Sequence, residues 1–243
     1  MQVIAVCNNK GGVGKTTTTA STAAALVRRG YRVLVVDVDG QSNLSYSLSA
    51  QDFAELPTVA DTLIAGKPIP IYPVREGLDL VPASFGLSKA EVAGISTDTL
   101  KKALSSLRGY DYAIIDTAPG VGLLTLSALT AADAVVITLT AEALPAQGMQ
   151  TLEEVIAAVG ARTVGYLITR YNSRLSLSKA VVEALRKRLG ALLFGTMIRE
   201  NVALAEAPFS RTDIFTYAPK SNGAKDYAAF ADELVERLKT IAV

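Results

Sequence analysis

A glycine-rich loop between an apolar run and a helical segment restricts the possible folds of this chain more than any other feature. The loop reads KGGVGKT over residues 10–16, after an apolar run at 3–7 and before a segment at 17–29 with helical character. Strand, glycine loop and helix in this order form a phosphate-binding loop, because glycines let backbone N–H groups approach an anion. The alternative is a glycine-rich turn without a ligand. The strict loop pattern has Gly where this chain has Asn9, and Lys10 adds a second lysine beside the loop.

Four further apolar runs indicate the fold class. They lie at residues 33–36, 113–115, 134–137 and 164–168, and they do not alternate with polar residues. Such runs are typical of strands buried on both faces, as in a parallel sheet covered by helices. We therefore predict an α/β protein: a doubly wound, mostly parallel sheet with helices on both faces, forming a single domain over residues 1–243.

The predicted elements alternate along the chain. Strands are expected at 2–8, 32–37, 78–82, 112–116, 134–140, 163–169 and near 192–197. Helices are expected at 16–29, 97–107, 121–131, 145–159, 176–189 and 222–240, with short helices across 42–66. The Pro- and Gly-rich stretch at 65–82 predicts a loop around one short strand. In such sheets ligands bind beyond the carboxyl ends of the strands, which places residues 8–16, 37–41, 116–120 and 142–147 together.

Composition narrows the chemistry. The chain has no histidine and one cysteine, Cys7, in the first apolar run. This excludes Ser-His-Asp and Cys-His catalysis, His-ligated metal sites and a disulfide framework. The longest uncharged run, residues 117–132, is interrupted by proline, glycine and hydroxyl residues and does not predict a membrane span. We expect a cytoplasmic protein without a membrane partner.

The loop residues have separate expected roles. The backbone N–H groups of Gly11, Gly12, Val13 and Gly14 are expected to form the anion cradle. Lys15 is expected to contact the β and γ phosphates of a bound nucleotide. For the two hydroxyl residues that follow, we expect Thr16 to ligate Mg²⁺ and Thr17 to reach the α phosphate, although Thr17 also suits a polar helix surface.

Aspartates occur at the ends of two predicted strands. Asp116 ends the run at 113–115, where an acidic residue beside a phosphate-binding loop holds the Mg²⁺ shell. It could instead cap the next helix. Asp37 and Asp39 end the second strand, and Asp39 lies where it could orient an attacking water and contribute to the metal site. Its alternative is a turn aspartate before Gly40.

These motifs resemble those of the ParA/MinD family of ATPases with a deviant Walker A loop, and most closely its ParA branch. The loop KGGVGKTT at 10–17 matches the deviant loop with its signature lysine, Lys10. Residues 35–41 (VVDVDGQ) and 114–120 (IIDTAPG) resemble the second and third family motifs, with Gly40 and Ala118 where proline is usual. Segments 198–208 and 217–224 also match the ParA type, so the resemblance covers almost the whole chain.

The resemblance implies an ATP-switched homodimer with ATP and Mg²⁺ as cofactors. Two subunits would bind face to face around two ATP molecules, with Lys10 reaching the partner's phosphates and Asp39 as the hydrolytic aspartate. Lys10 and Lys15 would stabilise the transferring phosphoryl group. Pro208 is expected near the base, and Tyr171 is a second candidate there. Hydrolysis, stimulated by a ParB-like centromere-binding protein, would separate the subunits.

The same resemblance implies non-specific DNA binding and a nucleoid-associated location. Residues 161–225 carry eleven Lys or Arg against four Asp or Glu in a chain whose net charge is only +1. This asymmetry hints at an anionic partner, although a solvated helix face is the alternative for each residue. The candidate DNA contacts are Arg186, Lys187, Arg188, Arg199 and Lys220.

Other functions of related folds compete with DNA partition. A MinD-like membrane regulator requires a basic amphipathic tail, whereas residues 233–243 mix both charges. An iron–sulfur carrier requires Cys-x-x-Cys, and a tyrosine kinase of related fold usually has a tyrosine-rich tail. An ATPase that positions a cargo other than DNA would use the same chemistry and is a further alternative.

Overall fold

The computed structural model describes residues 1–141 and 146–241. Within these ranges the strands form one eight-stranded sheet in the order β3-β4-β2-β5-β1-β6-β7-β8. Neighbouring strands pair in parallel except β3 and β4. The strands are β1 (Gln2–Cys7), β2 (Val33–Val38), β3 (Tyr72–Arg75), β4 (Leu78–Val81), β5 (Tyr112–Thr117), β6 (Ala134–Thr140), β7 (Arg162–Tyr171) and β8 (Leu193–Arg199).

The helices of the described residues cover both faces of this sheet. They are α1 (Lys15–Val27), α2 (Asn43–Leu48), α3 (Val59–Ala65), α4 (Ser88–Ala93), α5 (Asp98–Ser105), α6 (Leu123–Ala131), α7 (Ala146–Ala158), α8 (Ser176–Leu189), α9 (Val202–Glu206), α10 (Ile214–Tyr217) and α11 (Asn222–Ile241). Short 3-10 turns lie at Phe85–Leu87, Gly190–Leu192 and Ala207–Ser210.

Alternate strand residues enter different core clusters. Val33 and Val35 pack in a cluster with α1 and α11, whereas Leu34 and Val36 pack in a second cluster with α3, α5 and α6. A third cluster joins β1, β6 and β7 to α7 and α8. Because successive side chains of a strand point to opposite faces, this division confirms the doubly wound arrangement predicted from the apolar runs.

The prediction for residues 65–82 was right for the short strand at 78–82, which is β4, but it missed β3. Two strands, β3 and β4, form an antiparallel pair there, with a turn at Gly77 where φ is 78°. Strand β3 lies at the sheet edge, where Pro73 is tolerated because one side of the backbone needs no ladder partner. Helices α4, α9 and α10 were also not predicted, since elements of four to six residues are too short for a helical period to appear.

Strand register brings the functional motifs together. Asp116 of β5 lies opposite Val6 of β1 on one side and opposite Asp37 of β2 on the other. The residues after β1, β2 and β5 therefore meet at the carboxyl edge of the sheet, as the sequence predicted. Of the fourth group expected there, residues 142–145 lie outside the described residues. Among the helices that are described, none is long and apolar enough to cross a membrane.

Candidate nucleotide-binding site

The loop after β1 has the conformation of an anion cradle. Gly12 and Gly14 have φ angles of 73° and 80°, which L side chains rarely adopt. Gly14 is the N-cap of α1 and offers no side chain to the first-turn N–H groups. These N–H groups therefore remain available to an anion, which the helix dipole also favours.

Two polar side chains fix this loop, one directly after β1 and one on β7. Asn8 donates from Nδ2 to the Thr138 carbonyl at 2.5 Å and accepts the Lys10 N–H at 2.9 Å through Oδ1. Thr169, at the end of β7, donates from Oγ1 towards the carbonyls of Val13 at 3.0 Å and Leu139 at 3.1 Å. Neither residue stands out in the sequence, because Thr138 lies 130 positions from Asn8 and Val13 lies 156 positions from Thr169.

Lys15 lies below the loop and is 7% exposed. Its Nζ donates to the Lys10 carbonyl at 3.3 Å. Burial lowers the pKa of Lys15, and the nearby carboxylates of Asp116 and Asp39 oppose that shift. The lysine is thus held among acids at the base of the cradle, where a phosphate would compensate its charge.

Thr16 and Asp116 form a hydrogen-bonded pair at the base of the site. The Thr16 hydroxyl donates to Asp116 Oδ2 at 2.7 Å. The other oxygen, Asp116 Oδ1, is buried without a hydrogen-bond partner in the described part of the chain. Burial, followed by the charge of Asp37, raises the pKa of Asp116 well above its ordinary value. A buried carboxylate oxygen without a donor fits a cation, which would offset that cost.

This pair suits Mg²⁺ in particular. Mg²⁺ retains several waters and takes oxygen ligands from one or two protein groups and from phosphate. No cluster of three or more acidic, His or Cys side chains that could cage a metal occurs among residues 1–141 and 146–241. The donor set of one hydroxyl and one carboxylate therefore matches a metal shared with a nucleotide.

The end of β2 carries a second acidic arrangement. Asp37 is fully buried, and its carboxylate accepts the N–H of Asp39 at 3.1 Å and the N–H and hydroxyl of Ser45 at 2.9 and 2.7 Å. Asp39 is 8% exposed and accepts the Gln41 N–H at 2.9 Å. The two acids thus differ, because Asp37 is enclosed by donors and Asp39 lines the cavity.

A cavity of about 810 Å³ opens beside the loop. Thr17, predicted near the α phosphate, and Pro208, predicted near the base, both line it. Tyr171 packs against the third core cluster instead of lining this cavity. Tyr227 of α11 also lines the cavity, and its hydroxyl lies 3.0 Å from Thr18 Oγ1. Sequence reasoning missed Tyr227, which is 209 positions from its partner.

Lys10 lies on the exposed side of the same loop, away from the cavity lining. Its backbone is bonded to Asn8 and Lys15, while its side chain is exposed. A second molecule could therefore reach it.

The candidate DNA contacts do not form one cluster. Arg186, Lys187 and Arg188 lie in the last turn of α8, which returns from the carboxyl edge of β7 to the start of the parallel strand β8. Arg199 and Lys220 lie near the carboxyl edge, at the end of β8 and before α11. The two groups therefore lie at opposite edges of the sheet.

Several of these basic side chains already have acidic partners. Arg199 pairs with Asp226 through Nη2 at 2.5 Å and Nε at 2.9 Å, and this hydrogen bonding raises its pKa. Arg186 contacts Glu183 at 3.3 Å, and Arg188 lies 4.0 Å from Glu153. Of these three arginines, Arg199 therefore makes the strongest intramolecular ion pair.

A phosphate-binding loop at the carboxyl edge of a doubly wound sheet defines a P-loop nucleotide-binding protein. The profile of the AAA domain family matches residues 1–168. The chromosome-partitioning ATPase Soj of Thermus thermophilus is 41% identical over 246 residues, covering 97% of this chain and 96% of that protein. The chain therefore belongs to the ParA/MinD family of ATPases.

Solved structures agree with this assignment. A Mycobacterium smegmatis protein described as cobyrinic acid a,c-diamide synthase, with bound ATP analog and magnesium, is 33% identical with a TM-score of 0.84. The alignment covers 99% of this chain and 96% of that one. The cell-division ATPase MinD of Pyrococcus furiosus is 26% identical with a TM-score of 0.82, covering 98% and 99% of the two chains.

Proposed function

We propose that this chain is an ATP-dependent DNA-segregation ATPase whose ATP-bound dimer binds DNA without sequence preference. The observation that carries the nucleotide part is the Thr16–Asp116 pair below the glycine loop, with one buried carboxylate oxygen left without a donor. The similarity to Soj supports the segregation role. We further propose that residues 1–243 act as a single ATPase domain.

The loop would bind the phosphates of ATP. Gly11, Gly12, Val13 and Gly14 supply backbone N–H groups, and Lys15 supplies the charge at the β and γ phosphates. Thr17 contributes a hydroxyl at the α phosphate, and Pro208 lies against the base. These are the residues that a nucleotide in the cavity would meet.

Thr16 and Asp116 would hold Mg²⁺, and Asp39 completes the acidic end of the site. Mg²⁺ bound by these residues would supply positive charge to the phosphates. Asp39 orients the attacking water and receives its proton, while Lys15 stabilises the negative charge of the transferring phosphoryl group.

Lys10 makes the site depend on a second copy of the chain. Its exposed side chain would reach the phosphates bound by the partner subunit, so that dimerisation requires ATP. A cation supplied in trans stabilises the transition-state charge and thereby links hydrolysis to the dimer. Release of phosphate removes the shared anion and the subunits separate.

The basic residues would then bind the DNA backbone. Phosphate contacts from Arg186, Lys187, Arg188 and Lys220 carry affinity without reading bases. Arg199 contributes only if it leaves Asp226. A ParB-like partner bound to a centromere site would stimulate hydrolysis, and the protein would be cytoplasmic and nucleoid-associated.

The test compares binding to an arbitrary DNA duplex and to anionic liposomes, with ATP and with ADP. We expect DNA binding with ATP only and no liposome binding. The logarithm of the DNA-binding constant should fall linearly with the logarithm of the salt concentration. Binding to liposomes but not DNA would instead support a MinD-like membrane regulator. Binding to neither would favour an ATPase that positions another cargo.

Variants at Lys10 and at Asp39 test the shared site. Lys10→Ala should lose ATP-dependent dimerisation and turnover, whereas Lys101→Ala, an exposed lysine of α5, should retain both. Asp39→Ala should accumulate the ATP dimer. Rapid hydrolysis by Asp39→Ala would remove that residue from the mechanism.

A pair of charge reversals tests the two basic groups separately. Reversal of Arg186, Lys187 and Arg188 to Glu, or of Lys220 alone, should weaken DNA binding and reduce its salt dependence while ATP binding is unchanged. If one variant binds DNA with unchanged affinity, the basic residues replaced in that variant do not contact DNA.

A further inference from the structure

A buried serine joins two chain segments beside the proposed hydrolytic aspartate. Ser45 of α2 is 2% exposed. Its hydroxyl donates to Asp37 Oδ2 at 2.7 Å and accepts the N–H of Ala83 at 3.0 Å. Its own N–H donates to the same carboxylate oxygen at 2.9 Å. Ser45 therefore uses its hydroxyl as donor and acceptor at once.

The first segment held by Ser45 is the turn after β2. Asp37 Oδ1 accepts the N–H of Asp39 at 3.1 Å. One carboxylate thus binds Ser45 through one oxygen and the Asp39 backbone through the other. The direction in which Asp39 enters the cavity depends on how Asp37 is oriented. Of the three hydrogen bonds that the described residues donate to the Asp37 carboxylate, Ser45 supplies two.

The second segment follows β4. Ala83 leads into the 3-10 turn Phe85–Leu87 and helix α4, which pack over Gly40. A Cβ at Gly40 would lie 3.8 Å from Leu87 Cβ and 3.9 Å from the Ser88 backbone nitrogen. The backbone at residues 39–40 is therefore enclosed on one side by Asp37 and on the other by the segment that Ser45 binds at Ala83.

We propose that Ser45 is a positioning residue for ATP hydrolysis, because its hydroxyl holds Asp37 and the exit of β4 around Asp39. This inference rests on the proposed role of Asp39 and adds a residue that does not line the cavity. Without the hydroxyl, Asp37 loses a donor and the Ala83 N–H loses its acceptor. Asp39 is then held less firmly, and a displacement of about 1 Å at a reacting group can cost about a hundredfold in rate.

The experiment measures steady-state ATPase kinetics of Ser45→Ala and Ser45→Thr. Ser45→Ala should lower kcat about ten- to hundredfold with KM for ATP near the wild-type value, since the phosphate cradle is untouched. Ser45→Thr retains the hydroxyl and should recover most of kcat. Affinity for a fluorescent ATP analogue, measured without turnover, shows that each variant is folded.

A matched control removes another buried serine hydroxyl. Ser127 of α6 is fully buried and donates to the Thr97 carbonyl at 3.3 Å. Ser127→Ala should retain kcat even if it loses a similar amount of thermal stability. Equal kcat in Ser45→Ala and Ser127→Ala, or no recovery in a folded Ser45→Thr, would overturn the positioning role.

Asp39→Asn is measured in parallel to separate the two hypotheses. If Asp39→Asn retains wild-type kcat, the proposed role of Asp39 fails whatever Ser45 does. If Asp39→Asn is inactive while Ser45→Ala turns over normally, the proposed role of Asp39 is retained and only the positioning role of Ser45 is ruled out.

Discussion

Thr16 Oγ1 donates a 2.7 Å hydrogen bond to Asp116 Oδ2, although the two residues are 100 positions apart. The contact forms because β1 and β5 are paired neighbours in the sheet, and their carboxyl ends bring the loop and the aspartate together. It leaves Asp116 Oδ1 buried without a donor from the described residues. Binding of a cation would satisfy this oxygen.

Replacing Asp116 by Asn should remove the Mg²⁺ dependence of nucleotide binding. The amide retains the size of the side chain but loses the charge that attracts the ion, so we expect Mg²⁺ to improve affinity little or not at all. Titration of a fluorescent ATP analogue with and without Mg²⁺ measures this. The control is Asp79→Asn, which removes a β4 carboxylate bonded to Tyr110 instead of to Thr16. An unchanged Mg²⁺ effect in Asp116→Asn would contradict the assignment.

The stability of the nucleotide-free protein should decrease as Asp37 ionises. Burial raises the pKa of Asp37 from 3.8 to about 6, despite hydrogen bonds from Ser45 and Asp39 that oppose the shift. The folded state therefore holds the proton more tightly than the unfolded chain. This stabilising contribution is complete below the unfolded pKa and is lost as pH rises through about 6.

Urea unfolding between about pH 4 and pH 7 measures this contribution. Asp37→Asn should show a smaller decrease in the free energy of unfolding over that range than the wild type. Some pH dependence of the free energy of unfolding should persist in this variant, because burial and Asp37 raise the pKa of Asp116 as well. If the free energy of unfolding changes equally with pH in the two proteins, Asp37 does not contribute to the pH dependence.

Thr169→Val should weaken nucleotide binding through the loop. The change removes the hydroxyl that donates to the Val13 carbonyl, while the side-chain shape is nearly retained. Loss of a buried donor costs about 1–3 kcal/mol, and part of that loss should appear as lower affinity because the loop is less well fixed. Calorimetric titration with ADP and thermal melts separate affinity from stability.

A second threonine provides the control for this variant. Thr138 Oγ1 is buried with no hydrogen-bond partner in the part of the chain that the structure describes. Thr138→Val on β6 should therefore leave affinity unchanged and raise stability by about 1 kcal/mol, since an unsatisfied hydroxyl is replaced by a methyl group. Weakened ADP binding in both variants would indicate a general strand effect.

Cys7 should be inert to thiol reagents in the folded protein. It is fully buried in β1, and burial raises the pKa of its thiol to about 12, although Lys15 opposes the shift. The reactive thiolate is therefore scarce and inaccessible. Labelling with an aromatic disulfide should follow the fraction of unfolded protein across a urea series. Rapid labelling in native buffer would contradict the burial of β1.

Local patterns were sufficient to predict most of the architecture. The apolar runs predicted the parallel strands, and the glycine loop predicted the turn into α1, because burial and positive φ angles leave direct traces in residue type. The same reasoning failed at β3, where prolines at a sheet edge resemble those of a loop. The sequence also could not separate Arg199 from the other basic residues, because its partner Asp226 lies 27 positions away.

The sequence by itself determined the phosphate loop and the positions of Asp39 and Asp116 at the ends of buried strands. The tertiary structure alone decided what holds them: Thr169 under the loop, Ser45 beside Asp37, and Tyr227 against α1. It also placed the basic residues at two edges of the sheet. The physical reason is that a phosphate loop is encoded by adjacent residues, whereas hydrogen bonds between elements depend on strand order and helix packing.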